Sequence, residues 1–446
     1  MQFDESLCSG SLVAESLCAE WLIAESLIAK KQSPRKKSYL MNQTHYIPKP
    51  NVVRIIYTMK KLLFSARFLT FSMSLFLLVG ASYTSQAQVA ITAVPFLQIE
   101  PDSRGAAMGN TGVAIADNAS AMFWNPAGLA FQQGNQVSIT HSNWLANFNV
   151  DDLFYDYLVG KYYVEGIGTI GAHLTYLNLG EQIQTNEDSP DIISKFNSYE
   201  LALGLSYGFE VNKNLALGTS LRLIYSSLAS GTTVSQQKVN PGSSVGVDLA
   251  LLYKTNPFIL GENNARFSAG FNLSNIGPGM QYTDNAQKDP LPTTLRAGFA
   301  LEYDLDPEGY NSITLATDVS KIMARKKEVI STQAGVSDTS YVAAGAIEAL
   351  FSSWDTFQRF DGQEYVDVSL FQQLMFGAGL EYWYNDLFAL RSGFYYEDPN
   401  NGDRKYITFG AGLRYNAFGI DFSYIKTLES DHPLANTLRF SVLLNF

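Results

Sequence analysis

The sequence predicts an all-β fold: a transmembrane antiparallel β-barrel of about fourteen strands, with an N-terminal plug segment inside its lumen. Three observations favour it. The chain of 446 residues is 46% hydrophobic but only 16% charged, which is a low charge content for a soluble protein. After Ala87, no window holds the roughly 20 consecutive apolar residues that a membrane helix needs. Instead, polar and apolar residues alternate in segments of about ten residues, as in membrane barrels.

The final segment shows this alternation most clearly. Leu438, Phe440, Val442, Leu444 and Phe446 share one face, and polar residues occupy the other face with the single exception of Leu443. Period-two alternation is the pattern of a strand with two different environments on its faces. Comparable segments predict strands near residues 136–146, 155–163, 166–179, 197–210, 214–228, 243–254, 265–275, 293–304, 311–322, 371–384, 387–396, 404–416, 418–427 and 436–446.

Connection lengths support this strand count. If both ends of the barrel are periplasmic, every second connection should be a short turn. Residues 164–165, 211–213, 385–386 and 416–417 form short connections at the expected places, whereas the intervening connections are mostly longer and polar. The longest connection, near 323–370, is expected to be an extracellular loop.

Charged residues in these segments fall on the face opposite the aromatic residues. A charge at the bilayer midplane costs about 2 to 4 kcal/mol on the lipid side of a barrel and little in the lumen. An aqueous or plugged interior is therefore predicted. A soluble β-sandwich would also alternate, but the export signal and the terminal Phe446 favour the barrel. The inward-facing charges are Glu200, Arg222, Asp248, Arg266, Arg296, Glu302, Glu381, Arg414, Asp421 and Arg439.

The N-terminal region predicts export. Residues 59–87 combine a basic start, an apolar stretch from Phe68 to Ala81 and the small-residue cleavage pattern Ser85-Gln86-Ala87, as in a secretory signal peptide. We expect residues 1–58 to be an upstream-start extension outside the mature protein, since a signal peptide should emerge first; a genuine extension is the alternative. The mature chain then divides into a plug segment, 88–135, and a barrel, 136–446.

Composition argues against several other functions. The net charge is −11, whereas nucleic-acid binding needs clustered positive charge. Both cysteines lie in the first twenty residues, so the barrel can hold no disulfide framework. The four histidines are too far apart in sequence to suggest a metal site, and no nucleophile motif or phosphate loop is present. We therefore expect no enzyme activity, no catalytic residues and no cofactor.

The stretch TGVAIADNASAMFWNPAGLA, residues 111–130, supplies the predicted plug motif. Its aromatic pair should anchor the plug, the residue before the proline should leave the helical region, and the glycine should give freedom to enter the first strand. The motif residues are Phe123, Trp124, Asn125, Pro126 and Gly128. This motif resembles the N-terminal plug of the FadL-like family of fourteen-stranded outer-membrane barrels.

Further blocks, including residues 94–114, 273–284, 291–298, 404–412, 418–424 and 434–440, resemble the PorV family, the FadL-like barrels of the type IX secretion system. The resemblance implies a protein that binds the C-terminal signal domain of exported cargo at the translocon barrel and shuttles it to the surface attachment complex. Outer-membrane lipid is the remaining expected partner. A channel for uptake of hydrophobic small molecules is the alternative, and a barrel of the attachment complex is a third, minor one.

The long loop contains YVAAGAIEALFSSWDTF, residues 341–357, in which apolar residues fit one helical face. An apolar helix on the outer side suggests a contact surface for a partner or a cap over the pore. Packing of that helix on its own barrel is an equal alternative. The candidate contact residues are Tyr341, Ile347, Leu350, Phe351, Trp354 and Phe357.

Overall fold

The computed structural model describes residues 92–145, 152–185, 191–234, 237–283, 288–333, 336–360, 364–429 and 432–446. The predicted signal peptide, 59–87, and the predicted extension, 1–58, lie outside these residues. No helix in the described ranges is long and apolar enough to cross a membrane.

Fourteen strands form the wall of the molecule, and we number them in chain order. They are β1 Gln136–Asn143, β2 Phe154–Val164, β3 Gly168–Thr185, β4 Ile192–Asn212, β5 Leu215–Ser227, β6 Gly242–Lys254, β7 Asn263–Ile276, β8 Thr294–Asp304, β9 Asn311–Ile322, β10 Leu374–Tyr384, β11 Phe388–Tyr396, β12 Lys405–Tyr415, β13 Phe418–Thr427 and β14 Leu438–Asn445.

The strands close into a ring in sequence order. Each strand pairs antiparallel with the next, and β14 pairs with β1, so the sheet closes into a barrel. Asn135 and Phe446 complete the seam with two backbone hydrogen bonds of 3.1 and 3.0 Å. Closure leaves no open sheet edge in the lipid, as a membrane-spanning sheet requires. The predicted fourteen-stranded antiparallel barrel is confirmed.

Burial follows the alternation along the strands. In β14, Leu438, Phe440, Val442 and Leu444 are exposed outward, whereas Arg439 is 0% exposed and faces the interior. Leu443, the exception in the pattern, is buried inside. Outward-facing aromatic rings also lie in a row near one end of β2 to β5. Their neighbouring centroids are 5.9 to 6.0 Å apart, in the order Phe154, Tyr176, Tyr199 and Tyr225.

The connections differ at the two ends of the barrel. At the short-turn rim, residues 165–167, 213–214, 385–387 and 416–417 form tight turns, and two longer connections, 255–262 and 305–310, lie at the same rim. Asn385 and Asp386 both have φ of 50°, the left-handed conformation that two-residue hairpins need. The opposite, long-loop rim contains the described residues of the connections 144–153, 186–191, 228–241, 277–293, 323–373, 397–404 and 428–437.

The longest connection has its own structure, which differs from the predicted helix. Strands Lys326–Gln333 and Val336–Ala343 pair, a helix spans Ala346–Ser352, and Phe357–Phe360 pairs with Tyr365–Val368. The helix is shorter than residues 341–357 because the backbone on both of its sides, up to Ala343 and from Phe357, pairs with other strands. Other short elements are strands Thr233–Val234, Gln237–Lys238 and Phe258–Leu260, and 3₁₀ turns Phe371–Gln373 and Pro399–Asn401.

Residues 92–135, the described part of the chain before β1, form four short helical turns. These are the 3₁₀ turn Pro95–Gln98, the helices Ser103–Ala107 and Ala121–Trp124, and the 3₁₀ turn Pro126–Phe131. Helices this short gain little stability from their own hydrogen bonds. Their conformation therefore depends on contacts with the wall.

Candidate functional site

Residues 92–135, which we call the lumen segment, run through the ring of strands. At its start, the Ala93 N–H donates to the carbonyl of Pro290 at the long-loop rim, at 2.9 Å. At its end, Asn135 pairs with Phe446 at the short-turn rim. Between these points the segment contacts inward-facing residues of strands all around the barrel. The segment therefore passes from one rim to the other on the inner side of the wall.

Glycines on the inner face of the wall allow the segment to approach the strands. A Cβ atom added at Gly208 or Gly218 would overlap the backbone of residues 126–130, and one at Gly377 or Gly393 would overlap the backbone near Gly109. Only glycine permits such close backbone approach. These inward-facing glycines are thus positions at which the segment packs directly on the wall.

Trp124 is the central apolar anchor of the segment. Its indole is 3% exposed and packs against Gly105 and Gly112, where an added Cβ would overlap the ring. The indole Nε1–H donates to Asp102 Oδ1 at 2.7 Å. Phe123 meets Trp124 edge-on with ring centroids 5.0 Å apart, and the guanidinium of Arg296 lies 5.0 Å from the Trp124 ring centroid. Such ring–guanidinium contacts are favourable in a desolvated site.

Asn125 fixes the turn that follows. Its backbone is extended, with φ −165° and ψ 96°, as expected before a proline. Its side chain is 0% exposed; Oδ1 accepts from the Ala127 N–H at 3.1 Å, and Nδ2 donates to the carbonyls of Val113 and Leu251 at 2.8 and 3.0 Å. One amide thus ties the turn to the segment and to β6.

Gly128 has a different role from the one that the sequence suggests. It lies inside the 3₁₀ turn Pro126–Phe131, and its φ is not positive. A Cβ there would overlap the carbonyl oxygen of Ala116. The glycine is therefore required for close packing between two parts of the lumen segment, and conformational freedom at the entry to β1 is not its function.

Arg104 joins the segment to the wall through a buried ionic network. Its Nε and Nη2 donate to the two carboxylate oxygens of Glu381 at 2.9 and 2.7 Å, and Nη1 contacts Asp117. Arg391 donates to Glu381 at 2.6 Å and to Asp421 at 2.7 Å. Arg414 completes the chain, at 2.6 Å from Asp421. Opposite charges alternate throughout, so each buried charge has a partner, as burial requires.

A second ion pair lies nearer the long-loop rim. Glu100 accepts from Arg439 Nη2 at 2.9 Å and from the Asn110 amide. Two donors, one of them a guanidinium, thus satisfy the buried Glu100 carboxylate, and the pair ties the segment to β14.

Wall side chains also bind the backbone of the segment. Asp318 Oδ2 accepts the N–H groups of Gly112 and Val113 at 2.8 and 3.0 Å. Thr408 accepts from Gly109 at 3.1 Å and donates to the Ala107 carbonyl at 2.8 Å. These contacts satisfy backbone groups that no helix or sheet satisfies in this irregular stretch.

The aromatic turn was identifiable from the sequence, but most of these anchors were not singled out. Asp102, Arg104 and Thr408 lie in blocks that resemble the family, without a mark that distinguishes them as anchors. Asp318 and Thr408 follow the inner parity of their strands, which was the available signal. The part of the chain described by the structure contains no group of three or more His, Cys, Asp or Glu residues that could hold a metal. The absence of a cofactor and of catalysis stays a prediction.

The predicted contact loop separates into exposed and partly covered residues. Ile347, Phe351 and Trp354 are 64, 78 and 44% exposed. Leu350 and Phe357 are half-buried, and Phe357 lies on a strand after the helix. Tyr341 lies on the strand before it, and its side chain is outside the described residues. Phe371, which sequence reasoning did not select, is 79% exposed beside the same loop.

Together, these features define a membrane-spanning, outer-membrane type β-barrel with its own N-terminal residues packed against the inner wall. A family model, described as type IX secretion system protein PorV, matches residues 82–328. More than half of the chain is matched, and the chain belongs to this family. It is a family of secretion-system barrels and not one of enzymes.

Solved structures similar to this chain include two that are described as toluene transporters. The toluene transporter TbuX of Ralstonia pickettii is 16% identical, with 78% of this chain and 99% of that chain covered and a TM-score of 0.43. The Pseudomonas putida toluene transporter TodX is 13% identical, with 78% and 99% covered and a TM-score of 0.44. A Pseudomonas aeruginosa FadL homologue is 13% identical, with 78% and 98% covered and a TM-score of 0.37. A comparison with curated proteins gave no match.

Proposed function

We propose that this protein is a carrier in type IX secretion. It binds the C-terminal signal domain of exported cargo at the translocon barrel and passes the cargo to the surface attachment complex. It reaches the outer membrane after removal of an N-terminal signal peptide, with the long-loop rim outside the cell. Membership of the family supports the secretion role; the binding and transfer steps are the proposal.

The observation that carries the proposal is the apolar surface on the long-loop rim. Ile347, Phe351, Trp354 and Phe371 are exposed large apolar side chains in one connection. Exposed large apolar residues, aromatic ones above all, are typical of protein contact sites. The short-turn rim consists largely of tight turns, which offer less surface to a folded domain. We therefore place cargo or translocon contacts on the long loop.

The packed interior supports the same function. The lumen segment is fixed to the wall by ion pairs at Glu381 and Arg439 and by backbone hydrogen bonds to Asp318 and Thr408. Displacing it would leave these buried polar groups without partners, at a cost of about 1 to 3 kcal/mol for each group. The segment therefore acts as a plug, and cargo is handled outside the barrel.

The alternative, a channel for hydrophobic small molecules, requires a route through this interior. On the short-turn side of the segment, a cavity of about 400 Å³ is lined by Arg104, Lys254, Arg266, Glu302 and Glu381. An apolar ligand would have to desolvate these charged groups, which is unfavourable. No observation on the described residues favours that alternative over the carrier.

The proposal is tested by affinity purification of the tagged protein from detergent-extracted outer membrane. We expect the translocon barrel, C-terminal signal domains and attachment-complex proteins to copurify. Deletion of the gene should block surface display of many cargo proteins at once. Normal display in the deletion strain, or copurified lipid with none of these proteins, would contradict the carrier function.

A further inference from the structure

The outer wall of the barrel carries a large apolar groove near the short-turn rim. It has a volume of about 680 Å³, within the range of small-molecule binding sites. The groove crosses six neighbouring strands, β1 to β6. Its outward-facing lining includes Val137, Tyr162, Leu205, Leu221, Val247 and Phe446.

Strand register explains why the wall is recessed here. Gly160 of β2 pairs directly with Ala172 of β3, and both face outward. The pair on one side is Leu158 and Leu174, and the pair on the other side is Tyr162 and Ile170. Because glycine has no side chain and alanine has only a methyl group, this pair leaves a notch between the two pairs of larger side chains. Val137 and Leu205 continue the same cross-strand row on either side.

Five of the polar side chains that line the groove are already hydrogen-bonded to the protein, and Tyr162 is the remaining one. Lys161 Nζ points away to the carbonyls of Gln133 and Gly134, at 2.9 and 3.3 Å. Thr219 donates to the Asp248 carbonyl at 3.0 Å, and Tyr207 donates to the Ile167 carbonyl at 2.6 Å. Ser206 and Ser220 bond to each other at 2.7 Å. An occupant therefore needs no polar group along this surface.

The position of the groove identifies its occupant. Tyr162, Tyr207 and Phe446 belong to an outward-facing aromatic band at the short-turn end of the strands, where the bilayer interface is expected. The groove begins at this band and continues into rows of exposed Leu and Val residues, at hydrocarbon depth. A molecule that enters there comes from the hydrocarbon of the leaflet nearest the short-turn rim.

We propose that this groove is a binding site for one hydrocarbon chain of a membrane phospholipid, held at Gly160 and Ala172 with its headgroup at the aromatic band. The chain gains contact on both sides of the notch in place of the one-sided contact it makes with the rest of the wall. This lipid site goes beyond the carrier function and does not depend on cargo binding.

Filling the notch should release the lipid without unfolding the barrel. A Cβ at Gly160 would lie 3.5 Å from Val137, an ordinary contact, so Gly160→Leu and Ala172→Leu are compatible with the wall. The matched control is Ala378→Leu, which fills an outward-facing small position on β10, away from the groove. Circular dichroism and thermal unfolding in detergent verify that each variant is folded.

The test uses the full chain reconstituted with dioleoylphosphatidylethanolamine, extracted into mild detergent and examined by native mass spectrometry. We expect one retained lipid for the wild type and for Ala378→Leu. The released chain enters bilayer or detergent hydrocarbon, so each filled variant loses packing contacts only; losing about ten atom–atom contacts should weaken retention about tenfold.

Equal retention by wild type and filled variants would overturn the proposal. It would also be overturned if the filled variants kept the lipid but lost a copurifying membrane protein, since the groove would then be a protein contact. If a filled variant retains the lipid but its strain loses cargo display, the result bears on the carrier proposal alone and still contradicts the role of the notch in lipid binding.

Discussion

Arg104 and Glu381 lie 277 residues apart in sequence and form a two-point ion pair inside the barrel, at 2.9 and 2.7 Å. Glu381 has a side chain only 1% exposed and also accepts from Arg391. The pair therefore links the lumen segment to an ionic network of the wall. Removing either partner leaves a buried charge with reduced compensation, which is costly in a low-dielectric interior.

We predict that Arg104→Gln lowers the free energy of unfolding by about 3 to 5 kcal/mol, the usual cost of breaking a buried pair. Urea unfolding of the detergent-solubilised barrel, followed by circular dichroism, measures the change. Arg266→Gln is the control, because Arg266 and Glu302 are 3.5 Å apart and 43 and 48% exposed. That variant should lose less than about 1 kcal/mol. Equal losses of unfolding free energy in the two variants would show that the Arg104 ion pair contributes no more than an exposed one.

Trp124→Ala should loosen the lumen segment and make the barrel leaky. The change removes the ring between Gly105 and Gly112 and leaves Asp102 without its indole donor. Loss of a buried tryptophan typically costs about 3 to 5 kcal/mol. Single-channel recordings in planar bilayers should show openings that the wild type lacks. Trp354→Ala, in the exposed long loop, should leave conductance unchanged; a closed Trp124→Ala barrel would argue against the plug.

Gly393→Ala should interfere with packing of the segment on β11. The new methyl group would overlap the backbone of Met108 and Gly109, and Gly109 itself has a φ of 65°. Overpacking of this kind costs about 1 to 3 kcal/mol. A lower thermal transition in detergent is the expected result. Gly345→Ala is the control, since no atom lies within 4 Å of a Cβ there; a comparable shift in both would disprove the steric explanation.

Phe351→Ser should weaken capture of the partner without affecting the barrel. Phe351 is 78% exposed, so its loss creates no cavity, whereas truncation of an aromatic contact residue can cost about 2 kcal/mol or more of binding energy. Quantitative pull-down of the translocon and of signal domains measures the effect. Tyr310→Ser, at 56% exposure on the opposite rim, should bind normally. If Phe351→Ser binds the partners as well as the wild type does, Phe351 does not belong to the contact site.

Most of the wall was predictable because strand alternation is a local property. Each β-strand presents successive residues to opposite faces, so the apolar residues of β14 and the buried Arg439 could be assigned to opposite sides from the sequence alone. Turn chemistry at Asn385 and Asp386 is equally local. The loop helix was less predictable, because the residues before it pair with a strand that begins at Lys326. Helical periodicity in the sequence carries no information about such a pairing.

By itself, the sequence determined the strand pattern, the approximate number of strands, the two surfaces of the wall and the aromatic turn at Trp124. Only the tertiary structure decided which groups meet inside. Asp318 reaches the backbone of Gly112, 206 residues away, and Gly160 lies beside Ala172 to form the outer notch. The physical reason is that alternation depends on neighbouring residues along one chain, whereas these contacts depend on register between strands and on ring closure, which bring distant residues within bonding distance.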